Sequence, residues 1–246
     1  MAAASGETVW NPYCGQAPGP AHWLAHWNWD PVLLAASLAL LLAGAYVSRP
    51  TIRSQTGAFA VIFALFVTPL CALGSSLFIA RSVHHLILAI GLAPLLVAAI
   101  GPRPFSRIPL GIATAIQAAI FWAWHLPAFY EGAMRSDLVF WVMQVTITAS
   151  AAAWWAALQR SGALEAGASL LAQMLQMGAL GALLVFAGRA LYAPHFATTA
   201  AWGLTPLEDQ QVAGLVMWVI GGGIYLLLAS AKLWRVLGPD SQPRVA

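Results

Sequence analysis

Seven stretches of mostly apolar residues, each close to the length needed to cross a bilayer, dominate this sequence of 246 residues. A hydrocarbon core of about 30 Å is crossed by roughly 20 residues of α-helix at about 1.5 Å per residue. The stretches lie near residues 31–48, 57–79, 82–101, 108–126, 137–158, 167–188 and 208–233. The sequence therefore predicts an all-α, polytopic membrane protein built as a bundle of seven transmembrane helices.

The composition excludes two other classes of protein. Apolar residues make up 61% of the chain and charged residues 8%, against about 45–50% and about 25% in soluble domains. A net charge of +3 cannot form the concentrated basic face that binds nucleic acid, so we expect no nucleic-acid partner. The connections between helices are short, so we predict one transmembrane domain over residues 1–246.

Positively charged residues fall mainly on one side of the predicted helices. With the N-terminus outside, eight Lys and Arg lie on the cytoplasmic side and three lie outside. The cytoplasmic set is Arg49, Arg53, Arg103, Arg107, Arg160, Lys232, Arg235 and Arg244, and the outer set is Arg81, Arg135 and Arg189. Because short loops rich in Lys and Arg stay in the cytoplasm, we predict an N-out, C-in orientation with residues 1–30 as an extracytoplasmic segment.

All the histidines fall on the outer side of this topology. They are His22, His26, His84, His85, His125 and His195. One interpretation is that aromatic and amphipathic side chains gather at a membrane interface, where several tryptophans also lie. The other is an outer surface that handles a metal, because imidazole is the commonest metal ligand in proteins.

The third predicted helix opens with Arg81, His84 and His85. Arg81 and His85 are four residues apart and share a helix face, while His84 is rotated by about 100°. We therefore expect only one of the two histidines to point into the bundle. If it is His85, the charge on Arg81 favours the neutral imidazole that a metal requires. The alternative is that Arg81 extends to the interface and both histidines are exposed.

His125 and His195 lie at the outer ends of later segments. Pro127 follows His125 by two residues and breaks the fourth helix there, so His125 lies among the last unpaired carbonyls. It either complements the helix dipole or contributes to a site rich in donor atoms. His195 lies in an outer loop, where we expect an exposed turn residue. The alternative is that this loop folds over the same outer opening.

The seventh helix begins with several polar residues. Thr205 and Glu208 have the spacing of a capping box, which explains Glu208 without any chemistry. Asp209 enters the membrane helix and is expected to face the bundle interior, where it needs a partner. Met217 lies deeper in the helix and is either a core residue or a thioether ligand.

The chain contains two cysteines, Cys14 and Cys71. Their number and spacing match neither a disulfide framework nor a CxxC motif. Three alternatives stay open: a bridge between them, a Cu(I) thiolate, and two idle thiols. A bridge requires that the N-terminal segment approach the bundle.

Several short motifs occur in one order along the chain. They are WNWDP at 27–31, VHHL at 83–86, APLL at 93–96, WHLPAFYE at 124–131 and LTPLEDQQVAGLVMW at 204–218. Together they resemble the CtaG-like, seven-helix family of cytochrome c oxidase assembly factors of bacteria. The resemblance implies a multi-pass protein of the bacterial inner (plasma) membrane that helps to mature a haem-copper oxidase and supplies it with copper.

Two positions depart from the family pattern. Relatives carry a histidine where Arg81 stands, and a further histidine where this chain has FWVMQ at 140–144. The resemblance therefore implies a site role only for His85, for His125 and for Asp209 and Met217 at the entrance of the seventh helix. His84 is a local substitute for the histidine that is missing at position 81.

These observations lead to one functional prediction and two alternatives. We predict a non-enzymatic assembly factor that binds copper near its outer face and contacts a cytochrome c oxidase subunit, a copper donor protein and the lipid bilayer. The predicted ligands are His84, His85, His125, His195, Asp209 and Met217. The alternatives are a membrane haem protein with His85 and His125 as axial ligands, and a purely structural partner of a respiratory complex.

Overall fold

A computed structural model of the chain describes residues 10–47, 52–101 and 108–237. These residues form helices and connecting segments without any β-strand, which confirms the all-α prediction for this part of the chain. Predictions about residues 1–9 and about Arg49, Arg103, Arg107 and Arg244 concern positions outside the described residues.

Nine helices make up the described bundle. They are α1 (Pro31–Val47), α2 (Ile52–Phe66), α3 (Leu70–Ser76), α4 (Phe78–Ile100), α5 (Leu110–Trp124), α6 (Pro127–Ala133), α7 (Asp137–Arg160), α8 (Ala163–Phe186) and α9 (Pro206–Val236). Short 3₁₀ helices cover Trp23–Ala25, Ala193–His195 and Thr199–Trp202. We call the end of the bundle at which α4, α7 and α9 begin the upper end.

Within the described residues, four helices are long and apolar enough to cross a membrane: α4, α7, α8 and α9. Two pairs of consecutive helices, each with a bend between its members, are long and apolar enough only when taken together, and counting each pair as one span gives two further spans. The α2–α3 pair bends by 41° and the α5–α6 pair by 74°. The α1 helix has no charged residue but is 17 residues long. The chain is therefore a polytopic membrane protein with four to six candidate spans, and a seventh span stays a prediction.

The boundary between the second and third predicted helices is wrong. The chain breaks after Phe66, and Pro69 leads into the short helix α3. Proline has no N–H to donate to the preceding turn. Just before it, the Val67 carbonyl accepts a 2.8 Å hydrogen bond from the Asn28 N–H outside the helix. The next helix starts at Phe78, not at residue 82. Arg81 therefore lies at the end of the first turn of α4, and His84 and His85 lie about one turn further into the helix.

Both α4 and α9 contain a π-helical segment, at Ile87–Leu92 and Val216–Gly221. The first has a local cause. Pro94 cannot donate to the carbonyl four residues earlier, and its ring crowds that carbonyl. In this segment the Ala89 carbonyl accepts a 2.8 Å hydrogen bond from Trp155 Nε1 of α7. A side chain of a neighbouring helix thereby stabilises the irregular turn.

The α8 and α9 helices touch through their backbones. A Cβ atom on Gly181 would lie 2.6 Å from the Gly214 carbonyl oxygen, and one on Gly214 would lie 2.6 Å from the Gly181 carbonyl oxygen. Only glycine fits at such a crossing between membrane helices. The contact holds the first two turns of α9, which carry Asp209, close to the rest of the upper end.

The segment from Trp10 to Asp30 packs over the upper end. A disulfide joins Cys14 to Cys71 of α3, with their Cα atoms 5.3 Å apart, so the bridge is the alternative that the structure contains. The Pro18 carbonyl accepts hydrogen bonds from Ser76 Oγ at 2.7 Å and Trp202 Nε1 at 3.2 Å. These bonds tie the segment to two parts of the bundle that are distant in sequence.

Candidate functional site

Polar side chains from five different parts of the chain are buried together beneath this segment. They are Arg81, His84, His85, His125, Tyr130, His195 and Asp209, and each is at most 4% exposed. We call them the upper polar cluster. Because buried polar groups are usually hydrogen-bonded, the partners of each one show whether it serves the fold or is free to bind something else.

His84, His85 and His125 lie next to one another. The ring centroids of His84 and His85 are 6.2 Å apart, and those of His85 and His125 are 5.3 Å apart. Both His84 and His85 are buried, so the prediction that only one of them faces the bundle is wrong. The reason is that α4 is covered on both sides: the Phe66 ring of α2 lies edge-on to His84 at 4.9 Å, while His85 lies against His125.

The ring nitrogens of these histidines have few protein partners. His125 Nδ1 is 2.7 Å from the Phe121 carbonyl oxygen, and since a carbonyl only accepts, Nδ1 carries the proton. His125 Nε2 is then the nitrogen with the free lone pair, and it has no hydrogen-bond partner. All four ring nitrogens of His84 and His85 also lack one. The trio therefore presents buried lone pairs that the fold itself does not use.

Arg81 is fully buried within α4, so the alternative in which it extends to the interface is wrong. Its guanidinium lies 5.1 Å from the centre of the Phe140 ring and packs against Gly74, where a Cβ atom would be 2.9 Å from Cζ. The guanidinium nitrogens make no hydrogen bond of good geometry, and their polar neighbour is the Tyr130 side chain. The cation–π contact with Phe140 offsets part of the cost of burying this charge.

Neither Glu131 nor Asp209 pairs with Arg81. Glu131 forms an exposed ion pair with Arg135, at 3.4 Å. Asp209 Oδ2 and Oδ1 accept hydrogen bonds from the backbone N–H groups of Phe78 and Ile79, at 2.6 and 3.1 Å. Asp209 therefore caps the N-terminus of α4, where a negative charge is favourable.

His195 is 1% exposed, so the expectation of an exposed turn residue is wrong. Its Nε2 is 2.7 Å from the Tyr130 hydroxyl. Burial lowers the pKa of His195 to about 3, which keeps the imidazole neutral at physiological pH. The neighbouring Tyr192 donates from its hydroxyl to the His125 carbonyl at 2.7 Å. The loop that carries His195 thus folds over the end of the bundle where the other buried histidines lie. This agrees with the alternative prediction for this loop.

The remaining predicted residues lie along α9. The Thr205–Glu208 capping box is present, as predicted. Met217 is fully buried in the π-helical segment, eight residues or about 12 Å along the helix from Asp209. In the part of the chain that the structure describes, no group of three or more His, Cys, Asp or Glu side chains is arranged to hold a metal ion.

Sequence reasoning did not select Gln144 of α7. Its amide is 2% exposed, and both its oxygen and its nitrogen lack a hydrogen-bond partner. The sequence does carry a signal for it, because Gln144 is a polar residue within an apolar helix. Such residues usually face the bundle interior and mark functional positions.

The comparisons with known proteins agree with the resemblance seen in the sequence. The family model described as cytochrome c oxidase caa3 assembly factor matches residues 45–238. No curated protein and no solved structure shows a significant match to the chain. The matched residues run from the end of α1 to the end of α9 and include the whole upper polar cluster. The chain belongs to the cytochrome c oxidase caa3 assembly factor family.

Proposed function

We propose that this protein is a non-enzymatic membrane assembly factor that binds Cu(I) at the upper end of its bundle and presents it to a cytochrome c oxidase subunit. A copper donor protein loads this site. The family supports a role in oxidase assembly. The arrangement of His84, His85 and His125 supports the copper part of the proposal.

The observation that carries the copper site is the hydrogen bond between His125 Nδ1 and the Phe121 carbonyl. Histidines that bind metals commonly donate their other ring N–H in this way, which fixes the tautomer and the ring orientation. Two imidazoles that share a metal at about 2.0–2.1 Å have ring centroids roughly 5–6 Å apart. The 5.3 Å between His85 and His125 fits this spacing.

Cu(I) fits the surroundings better than a divalent ion does. The His125 ring is flanked by Phe121 at 4.6 Å and Phe78 at 6.3 Å, so a bound ion loses most of its water. Burying a single charge costs less than burying a double one, and Arg81 repels it less. Imidazole ligands suit copper, and we assign His84 as the third donor if the ring moves closer on binding.

We propose that the upper end is the outer face of a bacterial inner membrane, with α1 and the two bent helix pairs completing seven spans. Arg53, Arg160 and Lys232 lie at the opposite end of the bundle, as expected for the cytoplasmic side. The Cys14–Cys71 disulfide is typical of an oxidising compartment. Reporter fusions should therefore place residues 1–28, 127–136 and 189–205 outside and the chain after Lys232 in the cytoplasm.

Copper titration of the purified protein tests the site. The wild type, kept reduced with ascorbate, should bind one Cu(I) in competition with a chromophoric chelator. We expect His85→Ala and His125→Ala to weaken binding by about a hundredfold, because each removes a ligand. The matched control is His22→Ala combined with His26→Ala. Both residues are exposed in the N-terminal segment, and their loss should leave the affinity unchanged.

A second candidate function is a scaffold that contributes no ligand. The lack of a group of three donor side chains among the described residues favours it. Oxidase activity in a deletion strain separates the two: full recovery with the triple alanine variant of His84, His85 and His125 would mean that the scaffold suffices. A Soret band in the purified protein would instead support the haem-binding alternative.

A further inference from the structure

A cavity of about 610 Å³ lies between α1, α2, α4 and α7, apart from the three histidines. One face of α7, from Trp141 to Ala152, lines the cavity. This face extends for about 16 Å along the helix. Two of its lining residues, Val32 of α1 and Val145 of α7, are 74% and 58% exposed. The cavity therefore opens sideways, toward the region that lipid chains occupy.

One polar side chain in this cavity has no partner within the fold. Gln144 lines the cavity, is 2% exposed, and leaves both its Nε2 donor and its Oε1 acceptor unpaired. Thr148, one turn further along α7, donates to the Gln144 main-chain carbonyl at 2.8 Å and not to its amide. Because an unpaired buried amide is costly, this position is suited to a ligand that carries a hydrogen-bonding group.

The upper part of the cavity disfavours an anionic ligand. Tyr13 donates a hydrogen bond to Asp30, and both residues line the cavity. This hydrogen bond holds the pKa of Asp30 below its usual range, so the carboxylate is charged at neutral pH. The aromatic rings of Phe66 and Trp141 stack at 5.1 Å and also line the cavity. A neutral, planar head group therefore fits better than a phosphate.

We propose that this cavity binds an isoprenoid quinone. The ring lies near Trp141 and Phe66, a ring oxygen accepts a hydrogen bond from Gln144 Nε2, and the apolar tail follows the wall of α7 toward Ala152. A quinol would satisfy the Gln144 oxygen as well, by donating from its hydroxyl. This site is distinct from the proposed copper site, because none of its lining residues is a proposed copper ligand; Phe66, which lines the cavity, also contacts His84.

Calorimetric titration of the full-length protein in detergent with a short-tailed ubiquinone analogue tests the proposal. Gln144→Leu keeps the volume but removes the amide, and we expect it to weaken binding about five- to tenfold. Ala149→Phe should abolish binding, since the ring fills the cavity. Ala149 is exposed and lines the cavity, so this variant should still fold. Gln211→Leu is the matched control, an amide lost from α9 outside the cavity, and it should bind like the wild type.

Mass spectrometry of the lipids that co-purify with the protein adds a second measurement. Quinone in the wild-type extract and its loss in Ala149→Phe would support the proposal. Phospholipid alone, with no binding of the quinone analogue, would overturn it, as would equal quinone binding by Gln144→Leu, Ala149→Phe and the wild type. Cu(I) affinity should be unchanged in Gln144→Leu, which separates this test from that of the copper site.

Discussion

The bundle contains two buried polar regions that differ in how completely their groups are hydrogen-bonded. The lower network, between α5, α7 and α8, consists of Thr114, Gln117, Ser150, Trp154, Ser169 and Gln173. Ser169 Oγ, for example, is 2.9 Å from Trp154 Nε1 and 2.8 Å from Thr114 Oγ1. In the upper polar cluster, the ring nitrogens of His84 and His85 and Nε2 of His125 have no hydrogen-bond partner.

We interpret this difference as one between polar residues that hold helices together and polar residues that are available to bind a ligand. Hydrogen bonds between helices are worth about 1 kcal/mol each in a membrane, and the lower network uses its donors and acceptors in this way. Unpaired polar groups are retained only where another benefit offsets their cost. Many of the unpaired buried polar atoms among the described residues belong to the upper polar cluster, which is why we propose that it binds a ligand.

Asp209 is the member of the upper polar cluster whose side chain is fully used by the fold. Its loss should therefore destabilise the protein, as the loss of a residue of the lower network would. Asp209→Ala is expected to lower the free energy of unfolding by roughly 2–4 kcal/mol, because the N–H groups of Phe78 and Ile79 at the start of α4 lose their acceptor. Chemical denaturation in detergent measures this. Glu208→Ala, which removes only an exposed capping box, should cause a smaller decrease. A properly folded Asp209→Ala protein with a hundredfold weaker copper affinity would show that Asp209 is a ligand.

The next largest expected effect is the loss of folding stability at low pH that follows from protonation of His195. Its pKa is near 6.5 in an unfolded chain and is lowered to about 3 by burial. Below pH 6.5 the unfolded state binds a proton that the folded state does not, so stability is complete above this pH and falls toward pH 3. The loss at pH 5 is about 2 kcal/mol.

The variant His195→Gln removes this titration and keeps a side chain that can bond to Tyr130. Its unfolding free energy should therefore change less than that of the wild type between pH 8 and pH 5. Parallel pH profiles for the two proteins would mean that His195 does not distinguish the folded from the unfolded state.

One substitution in each region tests the comparison directly. Ser169→Ala leaves the fully buried Trp154 Nε1 without its acceptor, and should cost about 1–2 kcal/mol of stability without changing Cu(I) affinity. His85→Leu removes only unpaired polar atoms, so it should leave stability nearly unchanged or raise it while abolishing tight copper binding. If His85→Leu destabilises the protein as much as Ser169→Ala does, His85 serves the fold.

The smallest expected effect is a change in Cu(I) affinity on substitution of Arg81. Arg81→His removes a buried positive charge beside His85 and creates a His-x-x-x-His pair on one face of α4. We expect Cu(I) affinity to rise about fivefold, through lower charge repulsion and an added ligand. Arg135→His, at an exposed arginine outside the cluster, should have no effect. Equal or weaker binding in a folded Arg81→His protein would argue against a copper site on α4.

Much of the fold was predictable because apolar length and helix-capping residues act locally. The starts of α7 at Asp137 and α9 near Pro206 follow from nearby sequence signals, as does the break between His125 and Pro127. The start of α4 was misplaced, because its cap is supplied by Asp209, 131 positions further along the chain. No local pattern around Phe78 contains that information.

The candidate site shows the same division. The sequence predicted that His85 and His125 lie at one end of the bundle, since each is a fixed number of residues from a helix end. It could not predict that His84 and His195 are also buried. His84 is buried because Phe66 covers the second face of α4, and His195 is buried where it forms a hydrogen bond with Tyr130. Both contacts join segments that are far apart in sequence.

The sequence by itself determined that this chain is a helical membrane protein and a relative of the oxidase assembly factors. Apolar length and motif order are properties of the chain that no packing can change. Only the tertiary structure decided which polar groups are paired. Gln173 and Gln144 look alike in the sequence, yet the Gln173 amide contacts Thr114 and Gln176, while the Gln144 amide lines a cavity and has no protein partner. The physical reason is that a hydrogen bond depends on what the neighbouring helix presents within about 3 Å, and this is decided by packing.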